Sequence, residues 1–228
     1  MNSRPGFFAA GLLLLSLIAP LRAEVPGADP AINRPYQNPS YQQWVERFES
    51  EGREVYDRRE AIVARSGVLP GMTVADVGAG TGLFSRLFAR AVGPGGKVYV
   101  VDISRTFIDN VQRTSRAQGL NNVIGIVNSQ TEIGLAPSSV DLVFLSDTYH
   151  HFEYPEKMLA SIHRALKPGG ILVAIDFERI PGKSSAWILG HVRAGREQVI
   201  REIESAGFRL IDQPALLKEN FYLRFRRY

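Results

Sequence analysis

The sequence predicts an α/β domain of the doubly wound type, and three observations predict it. Apolar runs of strand length alternate along the chain with longer stretches that carry apolar residues at helical spacing. One run, Val74-Ala75-Asp76-Val77, breaks into Gly78-Ala79-Gly80-Thr81-Gly82 and continues as Leu83-Phe84-Ser85-Arg86-Leu87-Phe88-Ala89, which reads as strand, tight turn and helix. The length, 228 residues, suits one such domain with small additions and a full core.

The chain opens with Arg4, an uncharged stretch from Phe7 to Leu21, and Pro20 and Arg22-Ala23. That stretch is 15 residues long, short of the roughly 20 a spanning helix needs but suited to a secretory signal. Residues 1–23 are therefore expected to be a signal peptide cleaved after Ala23, and the mature chain is expected to be exported, periplasmic or secreted, with no stable membrane span. The alternative is an uncleaved anchor, since Leu21 is large for its position before the cleavage site. Cleavage removes Arg4 and Arg22 and no acid, lowering the net charge from +4 to +2. So balanced a chain, with no basic run except Arg224-Phe225-Arg226-Arg227-Tyr228, gives no footing to nucleic acid. That tail reads as an alternating edge strand. The absence of cysteine excludes disulfides, thiolate metal sites and cysteine nucleophiles.

Residues 24–39 carry four prolines and few apolar residues, which predicts an extended, poorly packed linker. Ser40 then caps a helix whose Tyr41, Trp44, Val45 and Phe48 share a side. A second helix is expected over 53–66, presenting Val55, Ile62 and Val63 to a core. Aromatic stripes at this spacing are more often core, so Trp44 and Phe48 are read as packing residues and Arg47, Arg53 and Tyr56 as solvated. Gly67-Val68-Leu69-Pro70-Gly71 turns the chain into the first strand.

In the turn that follows, glycines let a ligand approach the backbone, and the amides opening the next helix favour a negative group. The spacing is not that of a dinucleotide fingerprint, which would place its third glycine at position 83, where Leu83 stands. Asp76 also puts a carboxylate at the end of the strand. An acidic residue followed by Gly-x-Gly-x-Gly resembles the first motif of the class I S-adenosylmethionine-dependent methyltransferases. The resemblance spans about residues 40–228. It implies a seven-stranded, mostly parallel Rossmann-like sheet with a final antiparallel strand, and N-terminal helices (40–66) that lie over the cofactor and help shape the acceptor pocket. It also implies that Gly78, Ala79, Gly80 and Gly82 lie under the methionine part of S-adenosylmethionine, with Asp76 near its ammonium.

A helix to about Val92 is stopped by Gly93-Pro94-Gly95-Gly96, and Lys97–Val101 forms the second strand, ending at Asp102. A carboxylate there suits two ribose hydroxyls, with Ile103 beside it; the alternative is a cap on the helix that starts near Ser104. That helix runs over 105–118, and Val123–Val127 is the third strand. The resemblance implies that an acidic or amide side chain in the loop behind it meets the adenine amino group; Asn128, Gln130 and Glu132 each suit, and the contact is assigned to Gln130 with Thr131. Residues 140–145 form the fourth strand, and Ser146-Asp147-Thr148-Tyr149-His150-His151 leaves its carboxyl end, where ligands bind in open α/β sheets. Asp147 is assigned to the cofactor, and Tyr149, His150 and His151 are the candidate bases. No metal is expected, because two adjacent histidines of an extended segment do not easily face one point and the cysteines or further histidines of a closed zinc site are missing. A helix over 155–166, the turn Lys167-Pro168-Gly169-Gly170 and a strand over 171–175 follow; Leu-Lys-Pro-Gly-Gly-x-Leu also looks like the methyltransferase pattern. Residues 177–191 form a loop over the acceptor side, with Lys183, Ser184, Ser185, Trp187 and His191. A helix over 193–206 and two strands, 208–212 and 221–226, complete the chain.

The function expected is transfer of a methyl group from S-adenosylmethionine to a small-molecule acceptor. The alternative, from another class, is a non-catalytic protein that holds a nucleoside or dinucleotide; Leu83 speaks against the dinucleotide. An RNA or protein acceptor would want an extended recognition surface that the sequence does not show.

Overall fold

The computed structural model describes residues 25–228; the segment assigned to a signal peptide lies outside the described residues. A 3-10 turn over Pro30–Asn33 runs into α1 (Arg34–Gln37), followed by α2 (Tyr41–Phe48), α3 (Glu54–Asp57) and α4 (Arg59–Ser66). The alternating part then reads β1 (Thr73–Val77), α5 (Leu83–Val92), β2 (Lys97–Asp102), α6 (Arg105–Ala117), β3 (Val123–Val127) and β4 (Val140–Ser146). A 3-10 turn over Tyr149–His151 precedes α7 (Pro155–Ala165), β5 (Leu166–Phe177), α8 (Ala186–His191), α9 (Arg196–Ser205), β6 (Phe208–Asp212) and β7 (Asn220–Arg227).

The seven strands form one sheet in the order β3-β2-β1-β4-β5-β7-β6. All pairings are parallel except those of β7, which runs antiparallel to both β5 and β6. Both faces are covered, so strand residues alternate between two buried cores. Val74, Leu142 and Phe144 point to the side of α4, α5 and α6, with Phe84 and Phe88 of α5 packed 4.7 and 5.0 Å from the Phe144 ring. Ala75, Val77, Val143 and Leu145 point to the side of α7 and α9. The strand order reverses between β1 and β4, and there a crevice opens at the carboxyl ends of the strands.

Three expectations need correction. The C-terminal tail is not the edge of the sheet: β7 lies between β5 and β6 with Phe221, Tyr222, Leu223 and Phe225 buried, which its apolar alternation permits as well. The helix expected over 53–66 breaks at Arg58, and Glu54 accepts the backbone N–H groups of Lys218 and Glu219. The linker is not loose. Asp29 caps the Pro30–Asn33 turn by accepting from the Ala31 N–H, the Ala28 N–H donates to the Phe152 carbonyl, and Ala28 and Asn33 are buried. Two of its four prolines, Pro30 and Pro35, sit at the starts of the two short helical turns, where a missing N–H costs nothing. No helix among the described residues is long and apolar enough to cross a membrane.

Candidate active site

A single cavity of about 470 Å³ occupies the crevice. Of the residues expected to hold the cofactor, Asp76, Gly78, Ala79, Gly80, Asp102, Ile103, Gln130 and Asp147 line it. Gly80 is the glycine that faces the open space. It takes φ 53°, and a Cβ there would meet only the Phe48 ring, at 3.5 Å. Gly82 does not line the cavity: at φ 77°, a Cβ would stand 2.4 Å from Val111 Cγ1, so this glycine lets α6 pack against the turn. Thr131 does not line it either. Its hydroxyl bonds with that of Ser129, while Asn128 and Gln130 reach the wall.

The Asp102 carboxylate accepts from the Gly80 N–H and the Ser104 N–H, both at 2.9 Å, so the ribose and cap readings describe one residue with lone pairs to spare. Burial pushes its carboxyl up to about 6, against those donors. Burial pushes Asp76 further, to about 7, against the Ser85 hydroxyl that donates to it at 2.5 Å. At the end of β4 the Ser146 hydroxyl is buried on the cavity wall with no partner among the described residues, a donor left for a ligand.

On the other side of β1 the chain leaves β4 through Asp147, whose φ of 50° is rare outside glycine and turns the strand end sharply. The Asp147 carboxylate takes Arg53 at 2.5 Å and Asn220 at 2.6 Å, so three distant parts of the chain meet there. Arg53 was expected in solvent and Phe48 in a core. Instead Arg53 is half-buried in this pair and also donates to the Phe48 carbonyl, and Phe48 lines the cavity, while Trp44, a packing residue as expected, lies tilted between Tyr36 and Phe48. The helical spacing showed a shared face but not what the face covers. Tyr41 and Arg86 both donate to the Thr81 carbonyl, and Arg86 pairs with Glu49, fastening α2 to the glycine turn.

Of the candidate bases, Tyr149 is not in the site. The 3-10 turn points it into the core, where its hydroxyl donates to Glu202 at 2.6 Å in an ion pair with Arg193, and burial with the Glu202 charge drives its pKa far above the ordinary phenol value. His150 and His151 do line the cavity. His150 Nδ1 lies 2.7 Å from Asp176 Oδ1, and its backbone N–H donates to the other oxygen of Asp176. Burial lowers its basicity, but the Asp176 carboxylate outweighs burial and holds it above the ordinary value. His151 Nδ1 lies 2.9 Å from Asn33 Oδ1; burial, reinforced by the neighbouring His150, pushes it down to about 3. The reason for setting a metal aside fails here. The segment is a 3-10 turn rather than extended, the two histidine rings are 4.2 Å apart, and His191 of α8 joins them. Asn33, Asp176 and Asn220 carried no local sequence signal, because each acquires its role only through the tertiary fold.

Comparison with known proteins fits this geometry. Residues 75–174 match a family model described as a methyltransferase domain. A crystal structure of a SAM-dependent methyltransferase from Aquifex aeolicus is 25% identical, covering 88% of this chain and 99% of that one with a TM-score of 0.70. The chain is thus similar over residues 75–174 to a methyltransferase domain and, along most of its length, to a SAM-dependent methyltransferase. The ubiquinone/menaquinone biosynthesis C-methyltransferase UbiE of Blochmanniella pennsylvanica is 38% identical to this chain over 116 residues, 50% of this chain and 46% of that protein. The chain thus spans about half the length of the curated relatives it matches. The [4+2]-cyclase SpnF shares the fold, with a TM-score of 0.72 at 17% identity over 90% of this chain and 99% of that one. A methyltransferase fold therefore does not dictate the reaction. The site of this domain does fit the family's cofactor: it offers a glycine open to the cavity, a buried carboxylate with free lone pairs and an unpaired serine hydroxyl.

Proposed function

We propose that the chain transfers a methyl group from S-adenosylmethionine to a small-molecule acceptor. One observation carries this reading: a single cavity joins the glycine turn and Asp102 on one side to the His150–Asp176 pair on the other. S-adenosylmethionine supplies an electrophilic methyl on a sulfonium. Asp102 and Asp76 would hold it by its hydroxyls and its ammonium, Asn128 and Gln130 would face its base, and Ser146 offers a hydroxyl on the same wall. The acceptor then lies between Phe48, Phe177 and Trp187, with His150 set by Asp176 to take a proton during attack. Alignment of acceptor and methyl by these walls supplies much of the acceleration in such a displacement. The volume and the aromatic lining suit a small molecule rather than a polymer.

Calorimetric titration tests the reading. S-adenosylhomocysteine should bind at one equivalent and NAD should not. Binding of NAD alone, or of neither, would refute it. Export of the mature chain is a second proposal, resting on the composition of residues 1–23. Sequencing the N-terminus of the purified protein should begin at Glu24; a start at residue 1 or 2 would overturn cleavage.

A further inference from the structure

Three of the chain's four histidines, His150, His151 and His191, meet on one wall of the cavity, with one ring nitrogen from each lying within 4.8 Å of the others. Two of the rings are oriented from behind. Asp176 sits on His150 Nδ1 at 2.7 Å, accepts the backbone N–H of His150 and is fixed in turn by the Phe177 N–H. Asn33 has its Oδ1 on His151 Nδ1 at 2.9 Å, while its amide nitrogen donates to the His151 carbonyl and to Glu153, which fixes which way the amide faces. Each Nδ1 thus carries its proton toward a buried acceptor, and each Nε2 is left as a bare lone pair. The third ring, His191, stacks on Trp187 with centroids 4.5 Å apart and stands edge-on to the other two.

We infer that this cluster is a binding site for a divalent first-row transition metal. Three imidazole nitrogens within 4.8 Å of one another suit a shared cation. A carboxylate or amide behind each ring is the arrangement that fixes the tautomer of metal-bound histidines. Ligand nitrogens on tetrahedral zinc lie about 2.0–2.1 Å from the metal and so about 3.4 Å from one another, a closure that small side-chain rotations provide. An all-imidazole set favours zinc, cobalt, nickel, copper or iron over magnesium or calcium. With three protein ligands the fourth position opens into the cavity, where an oxygen, nitrogen or sulfur donor of the acceptor would sit. The inference deepens the proposed function and rests on it for the meaning of that fourth position. In the metal-bound chain, His150 positions the acceptor through the cation instead of acting as a free base.

The test uses the full chain without a histidine tag, stripped of metal by a chelator and titrated with Co²⁺ and with Zn²⁺, and separately with S-adenosylhomocysteine. One equivalent of Co²⁺ should bind with the visible absorption of a tetrahedral nitrogen site, and Zn²⁺ should displace it. The affinity should fall about 10- to 100-fold in Asn33→Ala, which removes only a supporting group, and at least as far in His191→Ala. In His163→Ala, the remaining histidine, it should not change. Circular dichroism of each variant checks that it is folded. Absence of a saturable site in the native chain, or native affinity in folded His191→Ala, would overturn the inference. If S-adenosylhomocysteine binds while Co²⁺ does not, the metal fails and the methyltransferase reading stands; Co²⁺ binding without S-adenosylhomocysteine binding gives the reverse.

Discussion

The two sides of the cavity are built in opposite ways. On the β1–β2 side most contacts come from one stretch, residues 76–103, a glycine without a Cβ, two buried carboxylates and the backbone that carries them, joined by Asn128, Gln130 and Ser146 at the ends of the neighbouring strands. On the β4–β5 side the wall is gathered from the whole chain, with Asn33, Phe48, Arg53, His150, Asp176 and Asn220 brought together by turns, helix packing and strand pairing. A site made of local backbone keeps its form whatever the neighbouring loops become. A site made of distant side chains is free to change with each of them. The first side suits a cofactor shared by many enzymes, and the second an acceptor particular to one.

The sharpest way to break this comparison is to remove His150. In His150→Ala the transfer rate, once an acceptor is known, should fall by about 10²- to 10⁴-fold while S-adenosylhomocysteine affinity stays within a few fold. Tyr149→Phe, one residue away, should keep the native rate and lose about 1–2 kcal/mol of stability, since its hydroxyl serves only Glu202. Single-turnover kinetics with calorimetry on both variants checks the pair, and a large loss of cofactor affinity in His150→Ala would erase the division.

A smaller effect is expected on the other side. Asp102→Ala should weaken S-adenosylhomocysteine binding by about 1.5–3 kcal/mol, the scale of lost charge-assisted hydrogen bonds, without unfolding the domain. Unchanged affinity would remove Asp102 from the cofactor side.

The smallest is a pH effect. Burial makes Asp76, facing the Ser85 hydroxyl, Asp102 and the Arg86 guanidinium, and Asp102, facing the Ser104 and Gly80 N–H groups, hold their protons in the free chain up to about pH 7 and 6. Folded-state values above the ordinary carboxylate value mean that their contribution to stability is full near pH 4 and below, and is lost as pH rises through 6 and 7. The cofactor wants both as carboxylates, so its affinity should rise several-fold between pH 5.5 and 7.5. Binding at pH 6 should release protons, seen as a dependence of the measured enthalpy on the buffer. Affinity that is flat across this range would mean that neither carboxylate meets the ligand.

The same division explains what could be read beforehand. Strand β3 falls where its apolar run is, β2 runs to Asp102 as its run implies, and α5 stops at the Gly93-Pro94 break, because period and breakers are local properties. That Gly80 and Asp102 face the crevice was legible for the same reason. Gly82 was assigned by motif, yet what demands a glycine there is Val111, on another helix. Phe48 and Arg53 looked like ordinary helix residues because nothing near them in sequence shows that Gly80 and Asp147 lie opposite. For the histidine pair only the backbone departs from expectation: the segment is not extended, because Asp147 at φ 50° diverts it into a 3-10 turn.

The place of β7 has a consequence for how the domain comes to be made. As β5 emerges during synthesis it can pair with β4, but its other side has no partner until residues 178–219 have followed and β7 has arrived between β5 and β6. For that interval Leu172, Ala174 and Ile175 belong to a strand with a row of free N–H and C=O groups, the kind of surface that recruits strands from other chains. The arrival of β7 is therefore what makes this side of β5 safe from its neighbours, and the nascent chain is exposed to aggregation there while residues 178–219 are being made.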